Sequence, residues 1–232
     1  MEKLNILYED NQIIVVVKPH NIPSQKDESE DEDMLSLVKE YVKEKYNKPG
    51  EAFIGLVHRL DRPTGGIMVF ARNSKSASRL SDQIKNNTMK KTYYCVCKGV
   101  LKEKEGSLTN YLKKDSKENI VKIVPLGEDG AKKAELRYKV LQTEGDENLC
   151  MVNLITGRSH QIRVQFAGIN CPIIGDKKYG KNLKGTTQNL ALWAGRLEFE
   201  HPTTKQKMIF VVPPDENSQP WKKFFISKYF MR

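Results

Sequence analysis

Apolar residues along this chain fall into short runs separated by polar turns. Residues 4–8 (LNILY) and 13–18 (IIVVVK) have strand length and flank the polar turn EDNQ at 9–12. The stretch HNIPSQKDESEDED at 20–33 reads as a loop. Acids at its end suit the positive N-terminus of a helix over 34–46, where Leu35, Val38 and Val42 recur at helical spacing. The unbroken run GIMVFA at 66–71 predicts a strand buried on both faces. A second helix follows over 74–86, with Ser74 as its cap and Ala77, Leu80 and Ile84 inward.

Further along, strands are predicted over 91–97, 134–142 and 149–155, and a helix over 159–168 with Ile162, Phe166 and Ala167 inward. Residues 190–199 and 207–212, joined through HPTT, predict a hairpin. An amphipathic helix starting at Pro220 is expected to pack Trp221, Phe224 and Phe225. Strands and helices mix without regular βαβ alternation, which points to an α+β fold on a central, mainly antiparallel sheet flanked by helices. No repeat and no Gly/Ser-rich or Pro-rich tract divides the 232 residues, so the chain is read as one domain.

The longest aliphatic run, 13–17, has five residues, far short of the roughly 20 that cross a bilayer as a helix. The opening MEKLNILYED lacks the basic start, apolar middle and cleavage site of a signal peptide, and a cytoplasmic location is expected. With 38% hydrophobic and 29% charged residues the composition is that of a globular protein. The net charge is +10, and it is uneven. The run DESEDED at 27–33 holds six acids, and outside it 39 basic residues against 23 acidic ones leave +16. Such a surface favours phosphate-rich partners, because each neutralised phosphate releases condensed counterions. The acidic run itself reads first as a solvated helix cap.

Cys95, Cys97, Cys150 and Cys171 are read as buried free thiols in a reducing compartment. His58, His160, Cys171 and His201 include no pair at ligand spacing, so neither a metal nor another cofactor is expected.

The densest polar cluster is HRLDRPTGG, residues 58–66, between two apolar runs that would hold it as a rigid loop. Asp61 stands between Arg59 and Arg62, and nearby cations keep a carboxylate ionised and ready to act as nucleophile or base. A second cluster, TGRSHQIRV at 156–164, offers Arg158, His160, Gln161 and Arg163 after another predicted strand. Tyr93 and Tyr94 alternate on a strand, so one of them can stack on a nucleobase. Taken singly, each cluster has a bland counterpart: an Asp–Arg turn, a basic helix end, a half-buried sheet tyrosine.

Together the clusters resemble a known family. HRLDRPTGGIMVFAR is similar to the HRLDxxTSGLLLFAK signature of the RluA-type RNA pseudouridine synthases, and KTYYCVCKG to their KxYxAxVxG strand. TGRSHQIRVQFAGINCPIIGDKKYG resembles their TGRxHQIRVHLAxxGxPIxGDxxYG block, and LWAGRLEFEHP their LHAxxLxFxHP stretch. The resemblance implies the pseudouridine synthase catalytic fold with an active-site cleft. It also implies isomerisation of specific uridines in ribosomal or transfer RNA, without a cofactor.

Residue by residue, the resemblance makes Asp61 the nucleophile that allows the base to detach, rotate and reattach through carbon. Tyr93 is implied to stack on the target base and take part in proton removal, and Arg163 to pair with the catalytic aspartate. Arg59 corresponds to the arginine that fills the space left by the flipped nucleotide, and Ile162 to an apolar pocket residue. His58, Arg62, Arg158 and His160 complete the expected RNA-binding set. Asp176, in GDKKYG, reads as a turn acid that caps backbone amides.

Three departures stand out. ThrGlyGly replaces ThrSerGly at 64–66, Gln165 stands where His is usual, and Trp193 replaces another His. None touches the nucleophile, so they bear on RNA choice. The predicted catalytic strands begin almost at once, so no separate N-terminal RNA-binding module is expected, and the protein is expected to be a monomer with no obligate protein partner. A non-catalytic RNA-binding or RNA-chaperone protein that keeps the fold is the competing reading, and the presence of Asp61, Tyr93 and Arg163 argues against it.

Overall fold

The computed structural model describes residues 4–47, 49–180 and 189–230. The chain gathers into two compact units, Met1–Lys90 with Arg196–Val212, and Lys91–Gly195 with Pro213–Arg232.

In the first unit, β1 (Asn5–Glu9) turns into β2 (Ile13–Lys18). Asp10 makes the turn: its Oδ1 accepts from the backbone N–H of Gln12 and Ile13 at 2.7 and 2.8 Å. Next come α1 (Met34–Lys45), β3 (Gly55–Leu56), β4 (Gly65–Ala71) and α2 (Ser74–Lys85). β2 pairs antiparallel with β1 and with β4, in register from Ile13↔Ala71 to Lys18↔Gly66. Every residue of β2 and β4 is buried, the physical reason for their unbroken apolar runs. Ile13, Val15, Ile67, Val69 and Ala71 form one core with Leu80 of α2, and strand alternation sends Ile14, Val16, Met68 and Phe70 to the opposite face.

The helix caps differ from a simple reading of the sequence. Asp33 alone caps α1, accepting from Ser36 N at 3.1 Å. α2 is capped by Asn73 rather than the expected Ser74: Asn73 accepts from Ser76 N at 2.9 Å and donates to Gln12 Oε1 at 3.0 Å. Asn73 accepts from the helix and donates to the turn, and so ties the two together.

The second unit holds β5 (Lys90–Lys98), β6 (Glu105–Asp115), β7 (Ile120–Val124), β8 (Lys132–Glu144), β9 (Glu147–Leu154) and α3 (Gln161–Gly168). The strands lie in the order β5-β9-β8-β6-β7, each neighbouring pair antiparallel. Sequence periodicity misses β6 and β7. Their solvent side carries Glu, Lys and Ser, and only Leu112 and Val121 reach a core, with Ala134 and with Val164 of α3. β10 (Leu192–Glu200) begins in the second unit and ends in the first, where it pairs antiparallel with β11 (Lys207–Val211) as the expected hairpin.

The C-terminal helix expected from Pro220 is instead a 3₁₀ turn, Trp221–Lys223, and a short α4 (Ser227–Phe230). Phe224 is extended, at φ −120° and ψ 151°, and this breaks the helical register. Trp221 and Phe224 are buried as expected, but Phe225 is 73% exposed. Antiparallel strands with segregated helices make the fold α+β on an open sheet.

Candidate active site

Asp61 sits in the first unit on the loop that enters β4. Its carbonyl accepts from Thr64 N at 2.9 Å, closing a tight turn through Pro63, and Gly66 follows at φ +123°, a backbone region open to glycine. Glycine at 66 is therefore required by the chain path into the strand.

Three side chains from the preceding segment hold this loop by its backbone. Ser24 Oγ donates to Leu60 O at 2.7 Å and accepts from Leu60 N at 3.0 Å. Lys18 Nζ donates to Arg62 O at 2.9 Å, and also to Pro19 O and Ile22 O at 2.9 and 2.6 Å. His20 Nδ1 lies 2.7 Å from Pro63 O and donates to it, because a carbonyl only accepts. Residues 60, 62 and 63 are thus fixed on both sides of the aspartate.

Lys18 is a fully buried lysine, at 0% exposure. Burial pushes its pKa down to about 7, the Asp61 charge pulls it up, and the Arg62 charge pushes it down again. An ammonium has three N–H groups, one for each of the three carbonyls, whereas a neutral amine has two. The protonated form is therefore the one this geometry matches. Burial also lowers the pKa of His20, against its bond to Pro63 and with the push of Lys18.

The arginines flanking Asp61 behave differently. Arg59 is exposed. Arg62 is held by the acidic loop: it pairs with Asp31, donates to Ser29 Oγ at 2.9 Å and to Asn21 O at 3.2 Å, and lies 3.6 Å from Asp27. Part of the acidic run therefore clasps the residue after Asp61, a contact the solvated-cap reading does not contain. His58 accepts from Val69 N at 3.1 Å through Nε2, so its proton resides on Nδ1 and the ring braces β4.

In the second unit, Tyr93 and Tyr94 lie on opposite faces of β5. Tyr94 packs its ring on Phe230, centroids 4.2 Å apart, which leaves Tyr93 as the tyrosine of the other face. The turn into α3 is pinned by Gln161. Its Oε1 accepts from Thr156 Oγ1 at 2.8 Å and Arg158 N at 3.0 Å, and its Nε2 donates to Glu135 O at 3.1 Å. Arg158 is exposed and donates to Lys133 O at 2.9 Å. His160 stands at the head of α3 in the left-handed region, φ +49°.

A chain of hydrogen bonds runs from β7 through Tyr179 to His160. Val121 N donates to Tyr179 Oη at 2.8 Å, and Tyr179 Oη lies 2.7 Å from His160 Nδ1, so one hydroxyl links the strand to the imidazole.

Arg163 and Ile162 are both buried in α3, at 3% and 4% exposure. Arg163 Nε and Nη2 donate to the two carboxylate oxygens of Asp176, each at 2.8 Å, and the guanidinium carbon lies 5.2 Å from the Tyr179 ring centre. Asp176 does cap amides as expected, accepting from Lys178 N and Tyr179 N at 3.0 and 3.1 Å, and it pairs with Arg163 as well. The sequence signal for this second role was a lone acid 13 residues beyond a buried arginine, which is no signal without the fold.

Gln165, one of the departures from the family pattern, is fully buried and donates to Asn110 Oδ1 at 2.8 Å and Leu108 O at 3.1 Å. Trp193 is buried too. Both side chains are packed inside the second unit. All four cysteines are free and buried, and burial pushes Cys171 up to about 11. Among the described residues no three His, Cys, Asp or Glu side chains gather as metal ligands.

This chain is similar in sequence and fold to known proteins. Residues 12–168 match the family model described as RNA pseudouridylate synthase, a stretch that holds Asp61, Tyr93 and Arg163. An uncharacterised RNA pseudouridine synthase of Bacillus subtilis (strain 168), YhcT, is 31% identical over 91% of this chain and 68% of its own length. The ribosomal large subunit pseudouridine synthase C of Buchnera aphidicola subsp. Schizaphis graminum (strain Sg) is 32% identical over 91% of this chain and 67% of its own. The chain thus spans about two thirds of the length of these relatives. In fold it is similar to human RNA pseudouridylate synthase domain containing 4, at 24% identity and a TM-score of 0.73 over 90% of this chain and 87% of that one. By sequence along most of its length and by fold, this chain belongs to the RNA pseudouridylate synthase family.

Proposed function

We propose that this protein isomerises specific uridines in RNA to pseudouridine, with Asp61 as the nucleophile. The observation that carries the reading is the HRLDRPTGG loop, in which one carboxylate is framed by backbone bonds at residues 60, 62 and 63. That degree of fixation suits a group that must meet one atom of its substrate in one direction. A covalent carboxylate intermediate divides glycosidic cleavage and carbon–carbon bond formation into separate steps, and the reaction consumes no redox equivalent or nucleotide. Tyr93 stacks on the base, Arg163 carries the counter-charge to the nucleophile, and Arg59 fills the place of the flipped nucleotide. Ile162 lines the base pocket, and His58, Arg62, Arg158 and His160 contribute to RNA binding. Taking a base out of its stack costs a few kcal/mol, which aromatic stacking and backbone contacts offset.

The RNA in this reading is ribosomal or transfer RNA, modified in the cytoplasm; the ribosomal choice draws on the relative named for the large ribosomal subunit. The test is Asp61→Asn, which keeps volume and removes the charge and the attacking oxygen. The variant should fold and bind RNA yet form no pseudouridine, while a deletion strain lacks the same pseudouridines in its mapped RNA. A folded Asp61→Asn protein that converts uridine at the wild-type rate overturns the assignment.

A further inference from the structure

Asp176 and Arg163 form a buried ion pair in the second unit, with side-chain exposures of 0% and 4%. A guanidinium is planar, so fixing two of its nitrogens fixes the direction of the third. Asp176 holds Nε through Oδ2 and Nη2 through Oδ1, each at 2.8 Å. The carboxylate is itself immobile, because Oδ1 also accepts from Lys178 N and Tyr179 N, and its carbonyl accepts from Gly180 N at 2.9 Å. The turn so formed carries Tyr179, whose ring lies against Arg163 and whose hydroxyl fixes His160.

An ion pair used only for stability is a poor investment here. Desolvating both charges consumes most of what their attraction returns, and apolar side chains of the same size often do as well. What a bidentate pair adds is direction.

We propose that Asp176 is a positioning residue for the reaction: it sets the plane of Arg163 and so the direction in which that arginine presents its remaining N–H groups to the reacting centre. The proposal rests on the reading of Arg163 as the counter-charge to the nucleophile.

Asp176→Asn separates positioning from folding, because the two oxygens do different work. An asparagine that keeps Oδ1 still accepts from Lys178 N and Tyr179 N, so the turn persists. Its amide nitrogen replaces Oδ2 and faces Arg163 Nε donor to donor, so the fork is lost. In single-turnover assays the rate per folded molecule should fall about 10- to 100-fold, with KM for RNA changed less than about twofold. In an Arg163→Lys background, which keeps a cation without a planar fork, the same substitution should change the rate less than about twofold.

Equal losses in both backgrounds, or a loss that only tracks the folded fraction measured by circular dichroism, overturn the proposal. So does a folded Asp176→Asn protein with the wild-type rate. Should Arg163→Lys form no product, the kcat-against-KM split of Asp176→Asn alone decides by the same criteria. If the wild-type protein forms no pseudouridine, or Asp61→Asn keeps its rate, the underlying reading fails instead, whatever Asp176 does.

Discussion

The two units hold their candidate catalytic groups in different ways. In the first, Asp61 is positioned through main chain: Ser24, Lys18 and His20 grip the peptide groups of Leu60, Arg62 and Pro63. In the second, Arg163 is positioned through its own side chain, by the carboxylate of Asp176 and the ring of Tyr179. The difference follows from side-chain length. Aspartate has two torsions, so fixing its Cα nearly fixes its carboxylate. Arginine has four or more, and a rigid helix leaves its guanidinium undirected unless a partner holds it. A short carboxylate calls for a rigid backbone, and a long cation calls for a rigid counter-ion.

This contrast is strongest at Lys18, where breaking it should have the largest effect on stability. Lys18→Met keeps the buried stem and deletes the ammonium, so Arg62 O, Pro19 O and Ile22 O lose their donor together. Each unsatisfied buried carbonyl costs about 1–3 kcal/mol, and partial access of water to the loop keeps the expected total near 3 kcal/mol by urea unfolding. Activity should fall beyond the folded fraction, since the backbone beside Asp61 is released. An unchanged denaturation midpoint and an unchanged rate would show that the loop is held by other means.

A smaller effect is expected at Tyr179, which serves the second arrangement from outside the ion pair. Tyr179→Phe keeps the ring against Arg163 but removes the hydroxyl that accepts from Val121 N and hydrogen-bonds His160 Nδ1. We expect a loss of about 1–2 kcal/mol in urea unfolding. The imidazole should also lose its hydrogen bond at Nδ1, a change that nitrogen NMR of the ring reports directly. Ring nitrogen shifts that stay the same in the variant would remove Tyr179 as a partner of His160.

How much of this was legible in sequence divides along the same line. The burial of β2 and β4 follows from IIVVVK and GIMVFA, and the groups proposed to act are motif residues whose side chains announce their chemistry. The supports were not legible. Lys18, His20 and Ser24 act on backbone carbonyls and amides, which every residue possesses, so no residue type at 60, 62 or 63 marks the partner. Lys18 accordingly reads as the end of a strand, and His20 and Ser24 as part of an undistinguished loop. Asp176 was legible as a turn acid because its amide partners are two and three residues away, but its pairing with Arg163 exists only once α3 has packed. β6 and β7 escaped for a related reason: a strand with a charged outer face and few apolar residues inward gives period-2 analysis little to find.

The smallest expected effect lies where the first unit also uses a side-chain counter-ion, at Arg62 and its acidic clasp. Ser29 lowers the pKa of Asp27 first, with Arg62 adding to it, and Arg62 itself lowers that of Asp31. Both carboxylates are exposed to water, where ion pairs are screened and contribute little, unlike the desolvated pair of Arg163 and Asp176. Asp31→Asn should therefore leave the melting temperature at pH 7 unresolved from wild type within ordinary precision. What difference exists has a definite sign. A carboxylate whose pKa is depressed on folding stabilises the fold above its ordinary value, near 4, and that contribution is lost as pH falls through the folded value. The two proteins should converge as the pH falls through the lowered folded value of Asp31, where the wild-type carboxylate itself becomes neutral. Melting both from pH 7 into the acid range, at low and high salt, measures this. A large stability gap at pH 7 that persists in high salt would mean that the clasp is desolvated after all, and that both units rely on directed counter-ions.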